Sequence, residues 1–531
     1  MDKGVTLTLV NWIFAFLPIL VLLFTILFFK WGAPKSGATS WFVAMLLGMF
    51  VFGADGRLLA LANSKGLSLS LYVLLIIWGA VFLYNVVEKI GAVKVIGDTM
   101  TKITEDRLLQ CLLMAWCFAS FMQGIAGFGV PVAVVAPIMV VMGFPPAVAA
   151  ATCLVGHSWS ISFGSMGSSY YTIQLVTKIP GAIIGPWMAI LFILPMFCTG
   201  LAVAHIYGGF AAVKRAAPAV IVTTVVMGFM CWFMNFIGAA QLATLIPALC
   251  GCATMAVLAR TGWYRSDKTA EQLAAEQAAS GGKMGFHQAF VPYYILIALS
   301  IMSQIKGISA VFAPYTWGLD FPALKTAFGY AVNAEKMYSR INILSHPAPL
   351  LVAAAFLGYI VFTATGRWKP GAAVSALKTT FSQCIPTSIG ILTMVMMALI
   401  MNDTGMTSLL AQGMAKATGA LFPIVSPLIG VLGSFLTGSN TNSNVMFGAL
   451  QIETARVLGI STVIMAAVQS VGGSVGCSIA PSKVLIGTAT TGLDGRESEV
   501  MNRTLPYCLI ITLLVGLNAW LFVYVLFRDL Q

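Results

Sequence analysis

Two stretches set 316 residues apart carry the same pattern, and they decide how the chain is organised. Residues 155–162 read Val155-Gly156-His157-Ser158-Trp159-Ser160-Ile161-Ser162, and residues 471–478 read Val471-Gly472-Gly473-Ser474-Val475-Gly476-Cys477-Ser478, with identity at four of eight positions. The match continues outward in the same order. Gly143 corresponds to Gly459 at the same separation, and Asn85 corresponds to Asn402 at 317. The ordered series indicates an internal repeat.

The chain around these stretches has the composition of a membrane protein. Of its 531 residues 59% are hydrophobic and 9% are charged, whereas about a quarter of the residues of a soluble domain are charged. Several apolar runs approach or exceed the ~20 residues that a helix needs to cross a bilayer; they include residues 10–29, 67–87, 181–207, 216–236 and 506–527. The first run has no Ala-x-Ala-like cleavage site, so it is predicted to be retained. The predicted fold class is an all-α polytopic membrane protein.

The repeat divides the chain into four parts. We predict an N-terminal transmembrane helix in residues 1–37, repeat 1 in 38–207, linking transmembrane helices and polar loops in 208–346, and repeat 2 in 347–531. Each repeat is predicted to contain a re-entrant hairpin, near residues 108–142 in the first and 421–458 in the second.

Loop charges predict that the two repeats have opposite orientations. Lys30 and Lys35 place the end of the first helix inside, so repeat 1 starts by running outward. Arg367 and Lys369 follow the first run of repeat 2 and place its end inside, so that run goes inward. A few cations, of which Lys65 is one, fall on the disfavoured side.

Two segments rich in Gly and small polar residues are predicted to form the hairpin tips. They are Gln123-Gly124-Ile125-Ala126-Gly127-Phe128-Gly129-Val130-Pro131 and Thr437-Gly438-Ser439-Asn440-Thr441-Asn442-Ser443-Asn444. Apolar pieces of about 15 residues flank them, too short to cross separately. Non-helical backbone at membrane depth is tolerated only where it is buried in protein or lines a water-filled cavity. So many polar side chains would be costly in lipid without a function.

Such tips suit an anion, because helix N-termini present unpaired N–H groups and a partial positive charge. Gly156-His157-Ser158 and Gly472-Gly473-Ser474 predict a second pair of helix breaks, and the four breaks together would form one midplane pocket. The predicted substrate-binding residues are Gln123, Gly124, Gly127, Phe128, Gly129, His157, Ser158, Ser162, Ser439, Asn440, Thr441, Asn442, Gly473, Ser474 and Lys483.

Some of these residues have a simpler structural interpretation beside the functional one. His157 is either a neutral, hydrogen-bonded core residue or a proton-coupling residue. Glycines such as Gly143 and Gly459 can be present only to let two helices pack closely, without a role in binding. The ten cysteines lie in or beside apolar runs without Cys-x-x-Cys spacing and are interpreted as packing residues. No metal site and no cofactor is predicted.

Composition and motifs also argue against other classes of protein. The net charge of +12 comes from scattered loop cations without a dense basic run, so no nucleic-acid partner is predicted. The motifs of zinc proteases and of phosphate-binding loops are absent from the sequence. A channel would be expected to have a continuous pore lining instead of two equivalent occluding hairpins. A secondary transporter of a small organic anion is favoured over both.

The motifs resemble the lactate permease family of bacterial L-lactate and glycolate carriers. The resemblance covers most of the chain and rests on the two tips, on Ser162-Phe163-Gly164-Ser165-x-Gly167, on Phe447-Gly448-Ala449-Leu450-Gln451 and on the stretch from Gly472 to Pro481. Ser439-Asn440-Thr441 also resembles the binding tip of the divalent anion/sodium symporters.

This resemblance implies a multi-pass symporter of the bacterial inner membrane. Its partners would be lactate or glycolate, a coupling cation and the lipid bilayer. H⁺ is the expected cation and Na⁺ the alternative, and the carrier would be a monomer or a homodimer. A sulfonated acid or a dicarboxylate is the alternative substrate.

Overall fold

The computed structural model describes residues 4–127, 129–264 and 284–528, and almost all of its regular structure is helical. In this article the helices are α1 (Leu9–Leu27), α2 (Ala33–Phe50), α3 (Gly56–Lys89), α4 (Ala92–Met100), α5 (Arg107–Leu112), α6 (Ala119–Ile125), α7 (Val130–Val141), α8 (Pro146–Gly156), α9 (Gly164–Thr177), α10 (Gly181–Phe236), α11 (Leu245–Leu258), α12 (Phe286–Met302), α13 (Lys306–Phe312), α14 (Pro347–Ala364), α15 (Ala372–Asp403), α16 (Met406–Thr418), α17 (Phe422–Thr437), α18 (Asn440–Leu458), α19 (Thr462–Gly476), α20 (Pro481–Thr491) and α21 (Glu497–Leu521). The predicted all-α fold class is confirmed.

Helices long and apolar enough to cross a membrane make up most of the molecule. Ten segments within the described ranges meet this condition by length and composition. The longest, α10, is two helices joined at Gly208 and Gly209, whose backbone leaves the helical region. The described part of the chain is therefore a multi-pass membrane protein.

A small β-structure interrupts the helices between α13 and α14, where the sequence predicts only a polar loop. Strand β1 (Thr316–Phe321) pairs antiparallel with β4 (Glu335–Asn342), and β2 (Leu324–Lys325) pairs antiparallel with β3 (Ala331–Val332). The inner strands have only two residues each, and the β1–β4 register is irregular. The inner strands are too short for a period-2 pattern, and burial does not alternate regularly along β1 and β4, which is why sequence reasoning missed them.

The order of elements from α3 to α10 recurs from α15 to α21. In each half a long helix is followed by a shorter one, two hairpin arms, a helix that ends in a single 3₁₀ turn, a further helix and a final long helix. Gly91 and Gly405, 314 residues apart, have positive φ angles of 83° and 85° and begin the second helix of each half. The backbone thus repeats at the spacing found in the sequence.

The corresponding helices α3 and α15 lie side by side and run in opposite directions. Asn85 near the end of α3 donates a hydrogen bond of 3.0 Å from Nδ2 to Oγ1 of Thr380 near the start of α15. At the other end, Lys65 near the start of α3 contacts Asp403, the last residue of α15. This antiparallel packing is what an inverted repeat requires, and the inversion of the whole repeats stays a prediction.

Both hairpins are formed by two short arms that meet at a tip. The first consists of α5 and α6, joined by the π-helical turn Leu113–Phe118, and of α7. The second consists of α17 and α18.

The second pair of breaks differs from the prediction. Helix α8 ends at Gly156 and a 3₁₀ turn follows at Ser158–Ser160, near the predicted position. In the other half, α19 continues through Gly472, Gly473 and Ser474, and the break comes later, at Cys477–Ile479. The physical reason is packing. A Cβ on Gly472 would lie 2.3 Å from the carbonyl oxygen of Pro427, so this glycine allows close approach instead of ending the helix.

Candidate functional site

A helix begins at the tip of the second hairpin. Gly438 ends α17 with a φ of 71°, a conformation that favours glycine. Ser439 then caps α18, and its Oγ accepts a hydrogen bond of 3.3 Å from the N–H of Asn442. Asn440 and Thr441, the next two residues, are buried in the first turn of α18. The tip is thus a capped helix N-terminus at the end of a turn.

The first tip has a similar form. Gly129, with a φ of 85°, precedes Val130 at the start of α7, and Pro131 occupies the first turn, where a missing N–H costs nothing. A Cβ on Gly127 would lie 2.2 Å from Oγ of Ser165, so a larger residue there would require the serine side chain to move. Phe128, which the sequence places among the binding residues, lies outside the described residues.

A cavity of about 370 Å³ lies between the two tips and one side of α2, α3 and α15. This volume is within the ~300–1,000 Å³ range of small-molecule sites. Gly127 and Val130 from the first tip, and Thr437, Gly438, Ser439 and Asn442 from the second, line it. Facing them are Tyr84, Gln383 and Thr387. The cavity therefore combines the two tips with side chains from helices of both halves.

Besides the start of α2 at Ala33, three helix N-termini reach this cavity. Val130 begins α7, Ser439 caps α18, and Ser482 and Lys483 belong to the first turn of α20. Each N-terminus carries about half a positive charge. No Asp or Glu is among the described residues that line the cavity. The cavity is consequently suited to an anion.

Lys483 supplies a full positive charge at the same place. Its side chain is buried, with 4% of its surface exposed, and it lines the cavity. Within the described ranges it has neither an acidic partner nor a side-chain hydrogen bond. A buried ammonium without a counter-charge is costly. A carboxylate in the cavity would neutralise it.

Asn440 joins the two halves behind the cavity. Its Nδ2 donates to Oγ of Ser162 at 2.8 Å and to the carbonyl oxygen of Ser470 at 3.1 Å. The hydroxyls of Ser162 and Ser470 are 2.9 Å apart. Asn444 extends the network, since its Nδ2 donates to the carbonyl oxygen of Ser169 at 3.0 Å. Asn440 and Ser162 thus belong to a buried link between the halves, and the cavity lining does not include them.

A second link crosses between the broken helices. Oγ of Ser474 donates to the carbonyl oxygen of Ser158 at 2.6 Å and accepts from the N–H of Ile161 at 3.2 Å. The backbone amide that Ser474 satisfies belongs to the break in the other half. Its role is therefore to hold one break against the other.

The remaining predicted residues lie around these links. Thr441 contacts Oγ of Ser169 at 2.9 Å, and Gly473 faces Oδ1 of Asn440. Gly124 packs against the backbone of Leu245, where a Cβ would lie 3.0 Å from Cα and N. Gln123 is buried beside Gly127 and Gly164, and its Oε1 has no partner within the described residues.

His157 is completely buried and does not line the cavity. Its Nδ1 lies 2.5 Å from the carbonyl oxygen of Cys153, one turn earlier, and its Nε2 has no partner in the described part of the chain. The core interpretation accounts for Nδ1 but leaves Nε2 unexplained. A proton-coupling role for His157 stays a prediction.

Sequence reasoning missed several residues at the site. Tyr84, Gln383 and Thr387 are polar positions on long apolar helices, and no local motif marks them. Ser470 belongs to none of the recognised motifs, although it lies one residue before the repeated stretch. A search for polar residues inside predicted spans would have identified all four.

The different partners of Asn440 and Asn442 predict different effects of substitution. Asn440→Ala removes bonds between the halves and should lower the free energy of unfolding by about 1 to 2 kcal/mol. Asn442→Ala is the control, because its side-chain carbonyl has no partner within the described residues. It should leave stability unchanged. Thermal unfolding of the purified variants without ligand measures both, and equal melting temperatures would contradict the structural role of Asn440.

Comparison with known proteins identifies one matching family and several similar proteins. Residues 11–526 match the L-lactate permease family. The L-lactate permease of Salmonella typhi is 31% identical over 483 residues, which cover 85% of this chain and 84% of that protein. The glycolate permease of Escherichia coli K12 is 29% identical, with 96% and 95% covered. Among solved structures, the YdaH transporter of Alcanivorax borkumensis has a TM-score of 0.40 at 15% identity, covering 85% of this chain and 84% of that one.

Proposed function

Because the chain belongs to the L-lactate permease family, we propose that it carries L-lactate or a related 2-hydroxy monocarboxylate such as glycolate together with a coupling cation. Members of this family are permeases, so the chain is a multi-pass transporter of the bacterial inner membrane and not an enzyme. The observation that supports the proposed substrate is the unpaired ammonium of Lys483 in a cavity with three helix N-termini.

The polar groups of the cavity suit one carboxylate and one hydroxyl. Lys483 and the N-terminus of α20 would receive the carboxylate. The side chains of Gln383 and Thr387, which line the cavity, would form hydrogen bonds with the 2-hydroxyl. A second carboxylate would find no second cation in the lining. Such an unpaired charge is heavily penalised in a low-dielectric site.

We expect competition assays to reflect these polar and charged groups of the cavity. In proteoliposomes, L-lactate and glycolate should compete for uptake, and succinate should not. Propionate has the carbon skeleton of lactate without the hydroxyl, and it should bind about tenfold more weakly because the partner of the hydroxyl is left unsatisfied. Strong competition by succinate together with indifference to L-lactate would reject the monocarboxylate proposal.

The proposed coupling ion is a proton. An inside-negative potential of 100 mV opposes uptake of a monoanion by about 2.3 kcal/mol. One co-transported H⁺ makes the step electroneutral and removes this opposition. Uptake should therefore follow an imposed pH gradient and should not depend on a sodium gradient.

Sodium is the alternative coupling ion, and one feature favours it. The side-chain carbonyls of Asn440 and Asn444 are buried without partners among the described residues, and both side chains bond to Ser470. Carbonyl oxygens are the ligands that hard cations prefer. Uptake driven by a sodium gradient at equal pH would favour this alternative.

A further inference from the structure

Four charged side chains form a continuous chain of ion pairs away from the cavity. The Nζ of Lys65 lies 2.8 Å from Oε1 of Glu335 and 3.2 Å from Oδ2 of Asp403. The other oxygen of Glu335, Oε2, lies 2.9 Å from Nζ of Lys178. Two ammonium groups and two carboxylates thus alternate. They connect α3, α15, strand β4 and the end of α9.

Stability alone does not explain this cluster. The side chains of Lys65 and Asp403 are 1% and 5% exposed. Desolvation of a buried ion pair offsets most of its attraction, and apolar residues of similar volume are often as stable. Ionisable groups within transmembrane segments are rare and mark functional positions. The cluster therefore needs a functional explanation.

The cluster lies over a second, much smaller cavity. This cavity has a volume of about 20 Å³, and Lys65, Glu335, Asp403 and Lys178 all line it. The rest of its lining is mostly apolar and comes from α3, α9, α15 and α18, with Tyr338 and Asn402 as the other polar residues. It has scarcely room for one water molecule.

The two cavities use corresponding positions of the two halves. Val81 lines the large cavity from α3, and Ala398, 317 residues later, lines the small one from α15. Conversely, Pro386 lines the large cavity from α15, and Leu69, 317 residues earlier, lines the small one from α3. Corresponding positions of α3 and α15 therefore line one large and one very small cavity.

We infer that the Lys65–Asp403–Glu335–Lys178 cluster is the closed gate of a second access path, on the opposite side of the tips from the open cavity. This inference rests on the proposed transport function, because a carrier must open its site to each membrane face in turn. When the gate separates, Lys65 and Lys178 become available to an incoming carboxylate. Glu335 occupies that position in the closed state.

The gate is weakest at its outer end. The side chain of Lys178 is 58% exposed and that of Glu335 is 20% exposed, whereas Lys65 and Asp403 are only 1% and 5% exposed. Burial acts to raise the pKa of Glu335, but hydrogen bonds from Lys65 and Lys178 outweigh it and leave the pKa below its ordinary value. Glu335 is therefore ionised at neutral pH. Water screens its pair with Lys178 most, so opening should start at β4.

Cysteine labelling tests the gate without any substrate. In a Cys-depleted background, Thr387→Cys reports on the open cavity and Ala398→Cys on the closed one, both on α15. A membrane-impermeant maleimide should label residue 387 from one face of sealed vesicles and residue 398 only slowly. Glu335→Gln leaves Lys65 paired with Asp403 and should raise labelling of residue 398, from the opposite face, about tenfold, the ratio for a loss of about 1.4 kcal/mol.

Two further variants distinguish opening of the gate from a general loss of stability. Lys178→Gln changes the most exposed member of the cluster and should also raise labelling at residue 398. Glu453→Gln, at the surface pair with Arg456, should have no effect. Unchanged labelling in both gate variants, or an equal rise at residue 387, would overturn the inference. Failure of lactate uptake with this labelling pattern intact would instead count against the proposed substrate alone.

Discussion

Lys483→Met is expected to abolish transport of L-lactate while leaving the protein folded. The ammonium is buried at the cavity and has no partner within the described ranges, so its main energetic role begins when an anion arrives. Removal of one partner of a buried charge pair costs about 3 to 5 kcal/mol, which corresponds to a loss of affinity of two to four orders of magnitude. Equilibrium binding of labelled L-lactate to the purified protein measures this loss directly.

The same substitution should raise the melting temperature of the protein without substrate. Methionine has nearly the length of lysine and no charge to desolvate, so the unfavourable burial of the ammonium disappears. The matched control is Lys416→Met on α16, because Lys416 is exposed near the end of that helix. It should change neither binding nor melting temperature. A Lys483→Met protein that binds L-lactate with unchanged affinity would refute the proposed carboxylate partner.

The sequence predicted the parts of the fold that depend on local pattern. The long apolar runs appear as long helices, and the polar segments at Gln123–Pro131 and Thr437–Asn444 appear at the tips of paired short arms. These features could be predicted because span length and Gly-rich breaks are properties of a few adjacent residues. The repeat spacing added the correspondence between the halves.

Tertiary contacts explain what could not be predicted. Lys65 and Asp403 are 338 residues apart, and Lys65 was counted as a cation on the disfavoured side of the membrane. In the structure it is a buried partner of two carboxylates, so it does not act as a free loop charge. Loop-charge reasoning treats each cation as solvated and cannot recognise such pairs.

The sequence indicates which residues lie near the site better than it indicates what each of them does there. Of the predicted residues, Gly127, Ser439, Asn442 and Lys483 line the cavity. Asn440 belongs to the Ser439-Asn440-Thr441 motif, but its Nδ2 donates hydrogen bonds to Ser162 and Ser470 instead of facing the cavity. Residue type predicts a polar centre, but which of its atoms remain free depends on partners from the other half of the chain.

The glycines at the broken helices are expected to be the positions least tolerant of substitution. A Cβ on Gly156 would lie 2.2 Å from the carbonyl oxygen of Ala115, and one on Gly472 would lie 2.3 Å from that of Pro427. In each half, therefore, the helix that ends in a break packs directly on the backbone of a hairpin arm. A helix backbone carbonyl cannot move aside as a flexible side chain can.

Gly156→Ala and Gly472→Ala should each destabilise the protein by more than about 3 kcal/mol, because overpacking against backbone requires the helices to separate. A loss of this size is a large part of a typical stability of about 5 to 15 kcal/mol, so the yield of folded protein should fall sharply. Gly307→Ala on α13 is the control, since no atom lies within 4 Å of its added Cβ. There alanine should be neutral or slightly stabilising.

The two variants also test whether the corresponding contacts in the two halves contribute equally to stability. Corresponding contacts at Gly156 and Gly472 should give similar losses of melting temperature when each variant is measured by fluorescence-detected unfolding in detergent. Normal yield and melting temperature in both would show that the hairpin arms and broken helices separate easily. A tight contact between them is what holds the helix N-termini at the cavity, so such a result would also remove the basis for a preorganised anion site.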